Sequence, residues 1–95
     1  AEMAFWPEAR VTGYLGGRFM AMTAGEFGAF VASQQPSPQA NGVAERLEIL
    51  SLEIAGDTAV ARVRDDYLGD TFLDTLTFVR RDGIWRIHDK LFHVE

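Results

Sequence analysis

The chain has 95 residues, of which 47% are hydrophobic and 24% charged, with a net charge of −5 and no cysteine. That suits one domain over residues 1–95 with one modest core, and it excludes disulfides, thiol catalysis and cysteine-held metal. The acidic balance, with Arg80-Arg81 as the only basic cluster, argues against binding to a nucleic-acid backbone or an anionic membrane. No run approaches the ~18 apolar residues of a membrane-spanning helix, and no basic-plus-apolar leader is present. The expected location is the cytoplasm. Ala1 in place of an initiator Met reads as a processed or trimmed start.

Ala1 to Trp6 is a short apolar stretch closed by Pro7. It reads as the last turn or two of a helix, because the residue before proline leaves the α region. Glu8 to Tyr14 suits a short strand, Gly16-Gly17 a hairpin turn, and Arg18 to Met22 the returning strand. Thr23-Ala24-Gly25-Glu26 fits a capping box. The helix that follows runs to about Gln34 with Phe27, Phe30 and Val31 on one face. Gln34 to Gly42, QQPSPQANG, is a proline-punctuated polar loop.

From Val43 the chain reads as a meander of long strands: Ala44–Ala55, Thr58–Leu68, Thr71–Arg81 and Ile84–Val94. The corners are Gly56-Asp57, Gly69-Asp70 and Asp82-Gly83. Gly followed by a polar residue suits a type II′ turn and Asp-Gly a type I′ turn. Two-residue loops at all three corners set one register, and period-2 alternation then assigns the faces. One face stacks an apolar floor that includes Leu52, Ile54, Phe78, Trp85 and Ile87. Above it come Leu76 and Asp89, then an acidic row of Glu48, Asp65, Asp74 and Leu91, then Arg46, Tyr67, Phe72 and His93. Asp65 faces Asp74 directly. The opposite face carries Val79, Ile49 and Phe92 among Arg86, His88 and Lys90. It reads as solvated or as a contact between copies, and its outward apolar groups favour a homodimer. A β-bulge in any strand would reverse every face beyond it.

Two carboxyls held face to face cannot both ionise cheaply out of water, so one pKa rises, which suits acid–base work. Asp74 and Asp65 are the candidate catalytic pair, with His93 to relay a proton and Tyr67 to donate a hydrogen bond. The alternative is a salt-bridged rim neutralised by Arg46, Arg18 or Arg10. Lys90 and His88 read as surface residues. Trp85, Phe78 and Ile87 read as core or pocket wall. No HExxH, GxGxxG, P-loop or serine elbow occurs, so no metal and no cofactor is expected.

Several segments together resemble a known family: FWPEARV, YLGGRF, TAGEFGAFVA, DYLGDTFLDTLTF and RRDGIWRIHDKLFHVE. They look like the nuclear transport factor 2-like superfamily, in its lumazine-binding branch near the SnoaL-like (polyketide-cyclase-like) proteins. The resemblance implies an α+β fold: a curved antiparallel meander sheet packed on helices as a cone-shaped barrel, usually dimeric through the sheet. It also implies a long first helix, with this chain opening inside the second. In the isomerase relatives that first helix supplies a catalytic tyrosine. The fold hosts enzymes and binders alike, so it does not choose a function.

The reading that follows is a domain binding a small apolar or aromatic molecule. Its pocket would be lined by Tyr67, Glu48, Asp89, Phe72, Leu76, Phe78, Trp85, Ile87 and Leu91. The alternatives are a cofactor-free isomerase or lyase with Asp74 or Asp65 as base, and a dimerisation module with a vestigial pocket.

Overall fold

The computed structural model describes residues 4–33, 47–67 and 69–95. The first strand, β1 (Phe5–Leu15), takes in Phe5 and Trp6, where the end of a helix was expected; residues 1–3 of that stretch lie outside the described residues. Pro7 forces Trp6 into the extended region, and alternation then sends Phe5 and Trp6 to opposite faces. Phe5 sets its ring 6.0 Å from Phe27. Trp6 donates its indole N–H to the Val79 carbonyl (2.8 Å), and the guanidinium groups of Arg81 (4.4 Å) and Arg86 (4.9 Å) both approach its ring. The pairing of β1 is irregular between Phe5 and Arg10, where Pro7 has no N–H to give.

The turn at Gly16-Gly17, both at positive φ, leads into β2 (Arg18–Thr23). Helix α1 (Ala24–Ser33) follows at once. Its capping box forms: Glu26 N–H donates to Thr23 Oγ1 (3.1 Å) and Thr23 N–H to Glu26 Oε1 (2.8 Å). The helix lies on β1 and β2. Phe5, Ala9 and Val11 form the buried core under it, joined by Met22, Phe27, Ile87 and Phe92. The loop expected over Gln34 to Gly42, and Arg46, lie outside the described residues.

Four long strands complete the fold: β3 (Leu47–Ala55), β4 (Thr58–Tyr67), β5 (Asp70–Arg81) and β6 (Ile84–Val94). The sheet order is β2-β1-β6-β5-β4-β3. The meander is antiparallel as expected, but β1 runs parallel to β6, so the sheet is mixed. It is curved and does not close into a barrel, and among the described residues it carries one helix.

Asp82 (φ 51°) and Gly83 (φ 78°) make the type I′ corner, and Gly56 (φ 60°) fits type II′. The middle corner sits one residue earlier than expected, because Tyr67 pairs with Asp70. This slides β4 against β5 by two residues, so parity survives but the partners change. Asp65 now faces Phe72, and Asp74 faces Val63.

Two bulges alter parity itself. In β6, Phe78 pairs with Ile87 and Thr77 with Asp89, which leaves His88 as an extra residue. In β3, Ile49 pairs with Val63 and Ser51 with Arg62, which leaves Leu50 extra. Everything beyond each extra residue changes face.

Candidate functional site

With the bulges in place, one row of side chains crosses all six strands on the helix-facing side. It runs Met20, Gly13, Phe92, Asp74, Val63, Ile49; the next row runs Met22, Val11, Lys90, Leu76, Ala61, Leu52. Gly13 is required in the first row. A Cβ there would lie 2.6 Å from Phe92 Cγ and would strike the Phe92 carbonyl. Its absence lets the Phe92 ring lie against β1 and face the helix.

Between this sheet face and α1 is a cavity of about 220 Å³. Met20, Met22 and Leu15 line it from the first hairpin, Phe27, Phe30 and Val31 from the helix, and Phe72 and Phe92 from the long strands. Four polar groups enter it: Asp65, Tyr67, Asp74 and Lys90. The volume is below the 300–1,000 Å³ typical of drug-sized ligands, so the space suits a small ring system.

Asp74 is the buried charge of this site, 4% exposed. It sits on a diagonal from Asp65 on β4 and on a diagonal from Lys90 on β6. Lys90 Nζ lies 3.7 Å from Asp74 Oδ2 and 4.9 Å above the Phe27 ring. The Oδ1 atoms of Asp65 and Asp74 are both buried and receive no N–H or O–H from the described residues. Burial, and then the Asp65 carboxyl beside it, push the Asp74 pKa up to about 7, against the pull of Lys90. Desolvation and a neighbouring like charge both disfavour the ionised form. Near neutral pH Asp74 therefore exchanges a proton readily, the condition that general acid–base catalysis needs.

Asp74, Asp65, Tyr67 and Phe72 thus meet in one cavity. Leu76, Phe78, Trp85 and Ile87 share the face but lie further along it, beyond the cavity wall; Trp85 stacks under Arg80 at 5.1 Å. Four expected residues are on the opposite side. The His88 bulge turns out Asp89, Leu91 and His93, which pair with Thr77, Thr75 and Leu73. Asp89 stands 4.0 Å from His88, and Leu91 is 54% exposed. The Leu50 bulge turns out Glu48, which lies 4.0 Å from Arg64. The same two bulges bring Phe92 and Ile49 inward, where an outward position was expected. Arg10 approaches Glu26 at the start of the helix.

Lys90, read from the sequence as a surface group, is the charge partner of Asp74. The signal for this was present. Along β6 the apolar positions switch from odd (Trp85, Ile87) to even (Phe92, Val94), and along β3 from odd (Leu47, Ile49) to even (Leu52, Ile54). A change of parity inside a strand is the mark of a bulge. Among the described residues no group of three or more His, Asp or Glu side chains is placed to hold a metal ion, and no helix is long and apolar enough to cross a membrane.

Comparison with known proteins decides the family. The sequence model of one family, described as "Putative lumazine-binding", matches residues 1–93. The chain belongs to that family. Solved structures place the lumazine-binding chain within the nuclear transport factor 2-like fold. One is an NTF2-like protein of unknown function from Silicibacter pomeroyi DSS-3, 26% identical, with a TM-score of 0.84 over 99% of this chain and 76% of the other. Another, from Methylobacillus flagellatus KT, is also 26% identical, with a TM-score of 0.84 over 97% of this chain and 71% of the other. A de novo designed protein with a curved β-sheet matches in fold alone, at 17% identity and TM-score 0.67, over 95% of this chain and 79% of the other. No curated protein matches.

Proposed function

We propose that this member of the lumazine-binding family binds a small molecule with an apolar or aromatic body in the cavity between α1 and the sheet. The observation that carries this is the placing of one buried carboxyl, Asp74 at 4% exposure, in a wall made mostly of aromatic, methionine and aliphatic side chains. Apolar walls supply affinity by burial, and a few convergent polar groups set orientation. The test is a titration with toluene followed by the methyl resonances of Met20 and Met22. Both are expected to shift, and Met20→Trp, which fills the space, is expected to abolish the response. Shifts confined to Leu73 and Leu91 on the outer face would overturn the reading.

A second reading rests on the elevated Asp74 pKa of about 7. In a cofactor-free isomerase or lyase, Asp74 would take a proton next to a carbonyl while Tyr67 donates to the oxygen. The geometry also supports a homodimer through the outer face. There Tyr14 and Phe19 stack at 5.5 Å, and Tyr14, Phe19 and Leu91 are 58%, 62% and 54% exposed.

A further inference from the structure

The charges that the described residues bring to the cavity do not cancel. Among the described residues that line it, the acidic and basic side chains are Asp65, Asp74 and Lys90. Two carboxylates against one ammonium leave one negative charge in excess. Lys90 engages Asp74 through Oδ2 at 3.7 Å and is held over the Phe27 ring, so it gives Oδ1 no donor. The Oδ1 atoms of Asp65 and Asp74 are both buried without a donor from the described residues. A buried acceptor without a donor costs about 1–3 kcal/mol, and more when charged. The apolar wall supplies no donor, so a proton on Asp74 serves in the empty pocket and an N–H of an occupant can replace it.

Resting on the ligand-binding reading above, we propose that the site is selective for a small aromatic cation with N–H donors, an amidinium or protonated amine on a single ring. Such a ligand takes the place of the proton that Asp74 holds beside Asp65. The empty pocket neutralises its excess charge with that proton; the loaded pocket does so with the ligand's nitrogen. Binding therefore releases a proton, and the charge balance of the cavity is the same before and after. An anionic ligand would have only Lys90 to meet it and would face both carboxyls.

Among the described residues, few other groups that titrate line the site. Asp65 and Tyr67 face Asp74 from β4 and Lys90 from β6, while the lining residues of α1, β1 and β2 are uncharged. Because Asp74 holds its proton up to about 7, the competition between proton and cation falls near neutral pH. Below that value the affinity for a cation should fall up to tenfold per pH unit. Above it the affinity should level off.

The experiment uses four probes of similar size: benzamidinium, benzamide, benzoate and toluene. Each is titrated into the protein at pH 6, 7 and 8, with binding heats measured in two buffers of different ionisation enthalpy. Benzamidinium is expected to bind at least tenfold more tightly than benzoate at pH 8, to weaken at least fivefold at pH 6, and to release up to one proton. Asp74→Asn is expected to remove the preference over benzamide and the proton release. Benzoate binding as tightly as benzamidinium, or a benzamidinium affinity flat in pH, would overturn the proposal. Toluene binding with no benzamidinium binding at any pH would also overturn it while leaving the ligand-binding reading intact. If none of the four binds, that reading falls, and this one with it.

Discussion

Asp74 carries a cost that the rest of the protein must offset. Its folded pKa of about 7 lies above the ordinary 3.8, so the folded protein holds this proton more tightly than the unfolded chain does. The stability from this group is complete below the ordinary value and is lost as pH rises from there towards 7. The loss is roughly 2–4 kcal/mol, from about 1.4 kcal/mol per pKa unit discounted for the coupling of Asp74 to its neighbours. Asparagine keeps the shape and removes the titration. We expect the melting temperature of Asp74→Asn, measured against wild type, to rise by about 5 °C or more between pH 4.5 and pH 7.5. A constant difference across that range would show that Asp74 titrates normally. The sequence marked Asp74 and Asp65 as a strained pair because they share a face whichever of the two registers is used. It did not mark Lys90, whose face depends on one extra residue upstream.

That extra residue makes β6 the element on which the site depends. Trp85 and Ile87 face inward before His88; Lys90, Phe92 and Val94 face inward after it. Deleting His88 removes the extra residue, so regular alternation then runs from Ile87 to Asp89 and leaves Lys90 and Phe92 facing inward with their partners unchanged. We expect the deletion variant to keep a cooperative unfolding transition in urea. His88→Ala, which keeps the count and the bulge, should cost less than about 0.5 kcal/mol because the side chain is exposed. If the deletion abolished that transition, the bulge would matter for more than the faces it sets. Helix α1 contributes differently. Thr23 and Glu26 fix where it starts, directly after β2, and that start point brings Phe27 over the core and Phe30 and Val31 over the cavity.

At the scale of the molecule, the sheet has two unlike ends. The β1-β2 end is covered by α1. At the β3 end Leu47, Ile49, Leu52 and Ile54 all point to the inner side and remain 56–71% exposed, since the sheet does not close. The outer side presents Tyr14, Phe19 and Leu91 around Thr75 and Leu73. If copies pair there, Leu91→Asp should shift the sedimentation coefficient from dimer to monomer, while toluene still perturbs Met20 and Met22 inside. An unchanged sedimentation coefficient would place the contact elsewhere or remove it.

Composition, corner residues and alternation were local properties, and they were enough for the six strands but β1's start, the capped helix and the four-strand meander. Each depends on short-range physics: glycine or aspartate at positive φ, a reciprocal cap, proline's fixed φ. The parallel pairing of β1 with β6 was not legible, because it joins residues some 80 apart and no local rule selects an edge. Nor was the precise membership of the site. A bulge is a small local exchange of one ladder hydrogen bond for better burial on both sides of it, and its location was decided by the packing of Phe92 on Gly13 and of Lys90 between Phe27 and Asp74. Those contacts exist only once the sheet and helix have met.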